Sequence, residues 1–271
     1  MGMLHRFFES LFFQTDAREY WKPAHYGLAS DTFRAKAEDG AELDGIVLQP
    51  KGLKEGEAPR GTILFCHAAQ FNREFNLPQV VFLALSGFRV ILFDYRGCGL
   101  STGARTEIDA LGTDARAVLD WLDTSPYAAR KVILFGQGVG ADAALQLCDA
   151  APDRIAGIIL ESAYDRRSRW AKDRWGPVLG DFAAHCLSGF TAPEPAEVLA
   201  QIKVPVLLIY PEKDAFVRKA GRERVAAALP AGDPVWTVPG TKYLGVFAGP
   251  MGPWHKATVK WIGKALAKSE R

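Results

Sequence analysis

The feature that most constrains this chain is a repeated alternation of short, continuous apolar runs with stretches of helical periodicity. The runs are Thr62–Cys66, Arg89–Phe93, Val132–Phe135, Ile155–Leu160, Val204–Ile209 and Val235–Val238. Helical patterns occupy 78–85, 108–123, 139–150, 218–229 and 254–268. Strands that are apolar at every position are those buried on both faces. Repeated βα units therefore predict an α/β fold: a mostly parallel central sheet flanked by helices. Ahead of it, Thr32–Ala37 and Leu43–Leu48 bracket Glu38-Asp39-Gly40, which reads as an antiparallel hairpin. One interval breaks the rhythm. Residues 163–196 are far longer than the ~2–6 residues of an ordinary connection and predict a small cap insertion. The expected organisation is an N-terminal segment, 1–30, packing on the core, followed by one domain, 31–271, that carries the cap.

Composition narrows the function classes. The 271 residues are 48% hydrophobic and 24% charged, with a net charge of +2. That balance fits a globular core and gives no support to nucleic-acid binding. Cys66, Cys98, Cys148 and Cys186 match no metal-ligand spacing. Neither a metal nor a cofactor is expected. No apolar run approaches the ~18 residues of a membrane span. Without a recognisable signal peptide, the reading is a cytoplasmic protein with reduced thiols. Leu4, Phe7, Phe8, Leu11 and Phe12 recur at helical spacing, so residues 3–13 predict a short amphipathic helix. Peripheral membrane contact is one use for it; packing on the domain is favoured, because its polar face lacks a run of Lys and Arg. Arg6 stands where a myristoylation motif requires Ser or Thr.

The chemistry should centre on Gly136-Gln137-Gly138-Val139-Gly140, between the run ending at Phe135 and the helix from Ala141. A strand, a sharp turn and a helix form the context of a nucleophile elbow, G-x-S-x-G. Here the chain resembles the α/β-hydrolase superfamily, in particular its bacterial serine-hydrolase-like branch with a short cap, from about residue 30 to the last helix. Phe93-Asp94-Tyr95-Arg96-Gly97 resembles the family's loop after the fourth strand, and Phe65-Cys66-His67 its His-Gly segment. The resemblance implies that the backbone amides near Ala69 and Val139 form an oxyanion hole. It also implies that Asp214 holds the acid position, and that the loop from Pro239-Gly240 holds the histidine position.

Two triad positions depart from that pattern. Gly138 has no side chain to attack a carbonyl, and the residue aligned with the histidine is Tyr243. Ala68 also replaces a glycine after His67. Loss of a triad nucleophile costs on the order of a million-fold in turnover, so a conventional esterase is not expected. Glycine is nonetheless suited to the strained elbow conformation, and Gly138→Ser is expected to fold with a loss of about 1 kcal/mol. Asp214 and Tyr243 are expected to hydrogen-bond, and His255 is the substitute base to consider. Gly136, Gly138 and Ala141, with Glu161 about 20 residues on, also match a dinucleotide fingerprint. That motif explains one turn, whereas the hydrolase landmarks explain the whole chain.

The cap contributes Arg166, Arg167, Arg169, Lys172 and Arg174 interleaved with Trp170 and Trp175. Arg169, Trp170 and Trp175 are the candidate ligand contacts; a solvated basic helix is the favoured alternative. Three functions follow. The first is a non-catalytic protein that binds a small acyl or anionic molecule, or a protein partner, through the former active-site cleft. The second is an unconventional ester or amide hydrolase, or a lyase, using His255 or another group. The third, an active hydrolase with its serine replaced, fits less well because the Pro239 loop also lacks a histidine.

Overall fold

The computed structural model describes residues 15–54, 56–104, 108–186 and 191–270. The amphipathic stretch at 3–13 lies outside them. Eight strands form one sheet in the order β1-β2-β4-β3-β5-β6-β7-β8. They are β1 (Ser30–Lys36), β2 (Glu42–Leu48), β3 (Thr62–Cys66), β4 (Arg89–Phe93), β5 (Val132–Gln137), β6 (Ile155–Glu161), β7 (Val206–Lys213) and β8 (Val235–Lys242). β2 runs antiparallel to both β1 and β4, and every other pairing is parallel. The expected fold class is the one observed.

Period-two geometry explains why the inner strands β3 to β7 are apolar over most of their length, whereas the edge strands β1 and β8 are not. Leu64, Leu134, Leu160 and Leu208 face one side of the sheet and join one buried cluster. Their neighbours Phe65, Phe135, Ile159 and Ile209 face the other side and join a second. The first cluster is covered by α3 (Ile108–Thr124), α4 (Val139–Ala150), α6 (Pro195–Gln201) and α7 (Lys219–Ala227). The second is covered by α2 (Val81–Leu85) and α8 (Pro253–Ser269). In place of one helix over 78–85, a 3-10 turn at Leu77–Gln79 leads into α2, and α1 (Arg73–Asn76) precedes them. Pro78 lies in that turn and cannot supply a donor to a continuous helix.

The strand ends are set in register. Gly136 lies beside both Cys66 and Leu160, and Gln137 beside Glu161. The loops leaving β3, β5, β6, β7 and β8 therefore share one edge, the carboxyl edge where α/β sheets place their ligands.

The long insertion is α5 (Arg167–Cys186), broken at Gly176, whose φ is 79°. Its first residue anchors it. The Arg167 guanidinium is buried and bidentate on Asp142 of α4, at 2.8 Å to each oxygen. The Tyr164 hydroxyl donates to the same carboxylate at 2.8 Å, and Arg167 also donates to the carbonyls of Ala192 and Pro193. Removing one partner of a buried pair leaves an uncompensated charge. Arg167→Met is therefore expected to cost about 3–5 kcal/mol in urea unfolding, with most of the loss recovered in Arg167→Met/Asp142→Leu.

Candidate functional site

Gly138 bridges β5 and α4 with φ 57° and ψ −117°. That conformation is costly for residues with a Cβ and free for glycine. Its amide donates to the Glu161 carbonyl at 2.9 Å, and its carbonyl accepts from the Ala141 amide at 3.0 Å. Two residues on, Gly140 lets the helix approach the Cys66 and His67 carbonyls so closely that any side chain would overlap them. The first amides of α4, Val139 among them, have no intrahelical acceptor and carry the positive end of the helix dipole.

A cleft of about 110 Å³ opens over this turn. Its base is Gly138, Val139 and Ala69, and its aromatic walls are Trp170 and Trp175 from the cap and Phe216 from the loop after β7. The two tryptophan rings meet edge to face with centroids 5.8 Å apart. Gln70, Ser162, Tyr164, Arg174 and Tyr243 complete the lining. Arg169 does not reach the cleft: its guanidinium pairs with Asp165 at 2.7 Å, one helical turn away. The cap cation at the cleft is Arg174, which lies 4.8 Å from the centre of the Phe216 ring. Helical spacing accounts for the difference, since position 174 shares a face with Trp170.

β8 continues to Lys242, paired with Lys213, so the last loop opens at Tyr243 rather than at Pro239. The Tyr243 ring packs on Phe216, with centroids 4.2 Å apart, and its hydroxyl stands over Gly138. A Cβ added at Gly138 would overlap that oxygen. Burial raises the Tyr243 phenol well above its ordinary range, and the Asp214 and Glu161 charges push the same way. A hydrogen bond from the Gln70 side chain acts in opposition.

The expected Asp214–Tyr243 hydrogen bond is not made. Asp214 Oδ1 instead accepts from the amides of Phe216 and Val217, at 2.7 and 3.0 Å, closing its own turn. Its buried Oδ2 has no hydrogen-bond partner. The chain's local preference for an Asx turn is satisfied first, and Tyr243 is directed at Gly138.

Beneath the cleft lies a carboxyl that a triad reading does not single out. Glu161, at the end of β6, is fully buried and accepts from Gln137 Nε2 at 2.6 Å. Burial, with a smaller push from Asp214, raises its carboxyl from 4.5 to about 8, against the pull of the Gln137 bond. This residue belongs to the interior, not to the ribose of a dinucleotide. Its neighbour Ser162 has φ 55°, lines the cleft, and carries a buried Oγ without a partner. Nothing in the sequence marks Ser162; its position follows from the register of β6 against β5.

His255 takes no part in the cleft. It is buried between Phe82 and Phe247, its Nδ1 accepts from the Gly252 amide at 3.0 Å, and its Nε2 lies 3.3 Å from the Phe247 carbonyl. Both ring nitrogens are engaged, so the residue caps α8 and cannot serve as a substitute base. His67 is also internal. Its Nδ1 lies 2.6 Å from the Ala68 carbonyl, and its Nε2 lies 3.7 Å from Asp94, which Arg73 neutralises. Burial raises the Cys66 thiol to about 12, which leaves it unreactive. Among the described residues no group of His, Cys, Asp and Glu is arranged to hold a metal ion. No described helix is long and apolar enough to cross a membrane.

Comparison with known proteins agrees with the fold. The family described as "Serine aminopeptidase, S33" matches residues 57–188. The protein bem46 of Schizosaccharomyces pombe is 27% identical over 229 residues, which span 80% of this chain and 73% of that one. The uncharacterized protein YfhR of Escherichia coli O157:H7 is 24% identical over 260 residues, 95% of this chain and 88% of its own. Among solved structures, esterase Pf2001 of Pyrococcus furiosus superposes with a TM-score of 0.72 at 17% identity, covering 94% of this chain and 98% of the esterase. An esterase of Thermogutta terrifontis gives 0.65 at 21% identity, covering 87% and 99%.

Two outcomes follow from the site. Gly138→Ser meets both the strained backbone and the Tyr243 hydroxyl, so its cost is expected to rise from the ~1 kcal/mol of strain alone to about 2–4 kcal/mol. Unfolding of Gly138→Ser/Tyr243→Phe, compared with Tyr243→Phe, should show the smaller figure. For Glu161, the folded-state value is raised, so its stabilising contribution is complete below 4.5 and is lost as pH rises towards 8. Native stability should fall across that window with a limiting slope of ~1.4 kcal/mol per pH unit. In Glu161→Gln, urea unfolding from pH 5 to 8 should lack this fall.

Proposed function

We propose that this member of the α/β-hydrolase superfamily, related to esterases and to the bem46 and YfhR proteins, binds a small molecule in the elbow cleft without hydrolysing it. The observation that carries this reading is the coupling of Gly138 and Tyr243. The elbow lacks a nucleophile, and a phenol occupies the space that a nucleophile's side chain would need. Asp214 has no imidazole to orient, and the histidine nearest in sequence to the last loop, His255, is committed to the core. The triad is degenerate at two of its three positions in this reading.

What supports binding is the part of a hydrolase site that needs no nucleophile. Val139 at the N-terminus of a 12-residue helix and Ala69 beside it line a cleft walled by aromatic rings. Such a helix end attracts carbonyl oxygens and anions on its own. Arg174 at the same cleft adds an exposed positive charge.

A second reading rests on Ser162, a hydroxyl held at φ 55° in the cleft without a partner. No described imidazole lies on the cleft lining to take its proton. The test is turnover of p-nitrophenyl acetate, butyrate and palmitate, together with labelling by a fluorophosphonate. The expected result is no rate above background and no adduct, since loss of the nucleophile removes on the order of 10⁶ in kcat. A rate that co-elutes with the protein on gel filtration would overturn the binding reading. Its loss in Ser162→Ala would identify the displaced nucleophile.

A further inference from the structure

The cleft is supplied with acceptors that have no donor. Gln70 Oε1 and Ser162 Oγ, from residues on the cleft lining, are both buried without a hydrogen-bond partner. Away from the lining, Gln137 Oε1, Glu161 Oε1 and Asp214 Oδ2 are also buried and unpartnered. A buried acceptor left unpaired carries its full desolvation cost, so a ligand that brings a donor is favoured over one that does not. Ser162 is more than nine-tenths buried, and its backbone is held in a conformation that its side chain disfavours. A hydroxyl takes either role, but the Gln70 carbonyl oxygen can only accept.

The same cleft also offers donors, the Val139 and Ala69 amides at the start of α4 and after β3. A matching molecule therefore presents both a carbonyl oxygen and an N–H within one small polar group. The walls set its shape. Trp170, Trp175, Phe216 and Tyr243 present ring faces and edges suited to a flat, apolar body. At ~10–15 Å³ for each water-sized position, the cleft of about 110 Å³ has room for roughly seven to eleven such positions, the scale of one substituted aromatic ring.

Charge decides between a carboxamide and a carboxylate. Arg174 is exposed and already lies against Phe216, so its field is screened by water. The Gln70 and Ser162 oxygens on the lining are buried, and Asp214 is buried near Tyr243, so all three disfavour an anion at low dielectric. A neutral donor-bearing group is preferred over an anion.

We infer that the cleft recognises a small planar primary carboxamide, its carbonyl oxygen on the Val139 and Ala69 amides and its NH₂ on Gln70 and Ser162. The inference rests on the binding reading above and adds to it the chemical class of the ligand.

Titration calorimetry of the full chain with benzamide, methyl benzoate and benzoate tests it. These probes share one ring and differ only in the polar group. Benzamide should bind at least about tenfold more tightly than either of the others. Gln70→Leu should erase most of that preference, and Ser162→Ala provides an independent variant should Gln70→Leu fail to fold. Equal or tighter binding of methyl benzoate or benzoate would overturn the carboxamide inference while leaving the binding reading in place. Absence of benzamide binding would overturn it as well. Release of methanol from methyl benzoate would instead overturn the binding reading.

Discussion

The buried pair between Asp142 and Arg167 sets the geometry on which the cleft depends. Asp142 sits in the first turn of the elbow helix, and Arg167 opens the cap helix. Four charge-assisted or hydroxyl hydrogen bonds converge on the Asp142 carboxylate, from Arg167, Tyr164 and Gln146. A pair removed from water gains little net stability over apolar residues of similar volume. Its effect is positional: the guanidinium fork accepts one orientation, so the cap is fixed relative to α4. Trp170 and Trp175 reach the cleft because Arg167 is held beneath them.

Within that frame, Gly138 and Tyr243 behave as one feature. A side chain at position 138 conflicts with the tyrosine hydroxyl, and the tyrosine needs the space that glycine leaves. Non-glycine residues with positive φ are Phe71, Ser162 and Leu244 among the described residues. Each lies on the cleft or next to a residue that does, respectively beside Gln70, on the lining, and after Tyr243. Strained backbone of this kind costs of order 1–3 kcal/mol per residue and persists where surrounding structure over-determines it. Its concentration at the carboxyl edge of the sheet shows where the fold yields stability to hold a shaped site.

The same edge holds the polar interior. Glu161 keeps its proton to higher pH because burial disfavours its charged form, with a smaller push from the Asp214 charge. A carboxyl that remains neutral beneath a cleft can donate as well as accept, and it reduces the negative charge that a ligand meets.

The sequence by itself determined the sheet, its flanking helices, the entry hairpin and the position of the elbow. Each is written in local periodicity and in glycine spacing over a few neighbouring residues. Gly138 and Tyr243, both on the cleft, were legible through the resemblance of the surrounding motifs, whereas Asp214 closes its own turn. Tertiary structure alone decided which way the cap and the last loop present their side chains. Arg169 against Arg174, and His255 in the core against Tyr243 in the cleft, differ by helix phase and by where β8 stops, neither of which composition encodes. Ser162 was not marked, and Glu161 stood out only as the acid of a dinucleotide fingerprint, because adjacent residues on a strand point to opposite faces until the strand ends. Only the register of β6 against β5 and β7 says which atoms meet the cleft. Side-chain chemistry is a property of single residues, but hydrogen-bond pairing and burial depend on residues brought together from distant positions in the chain.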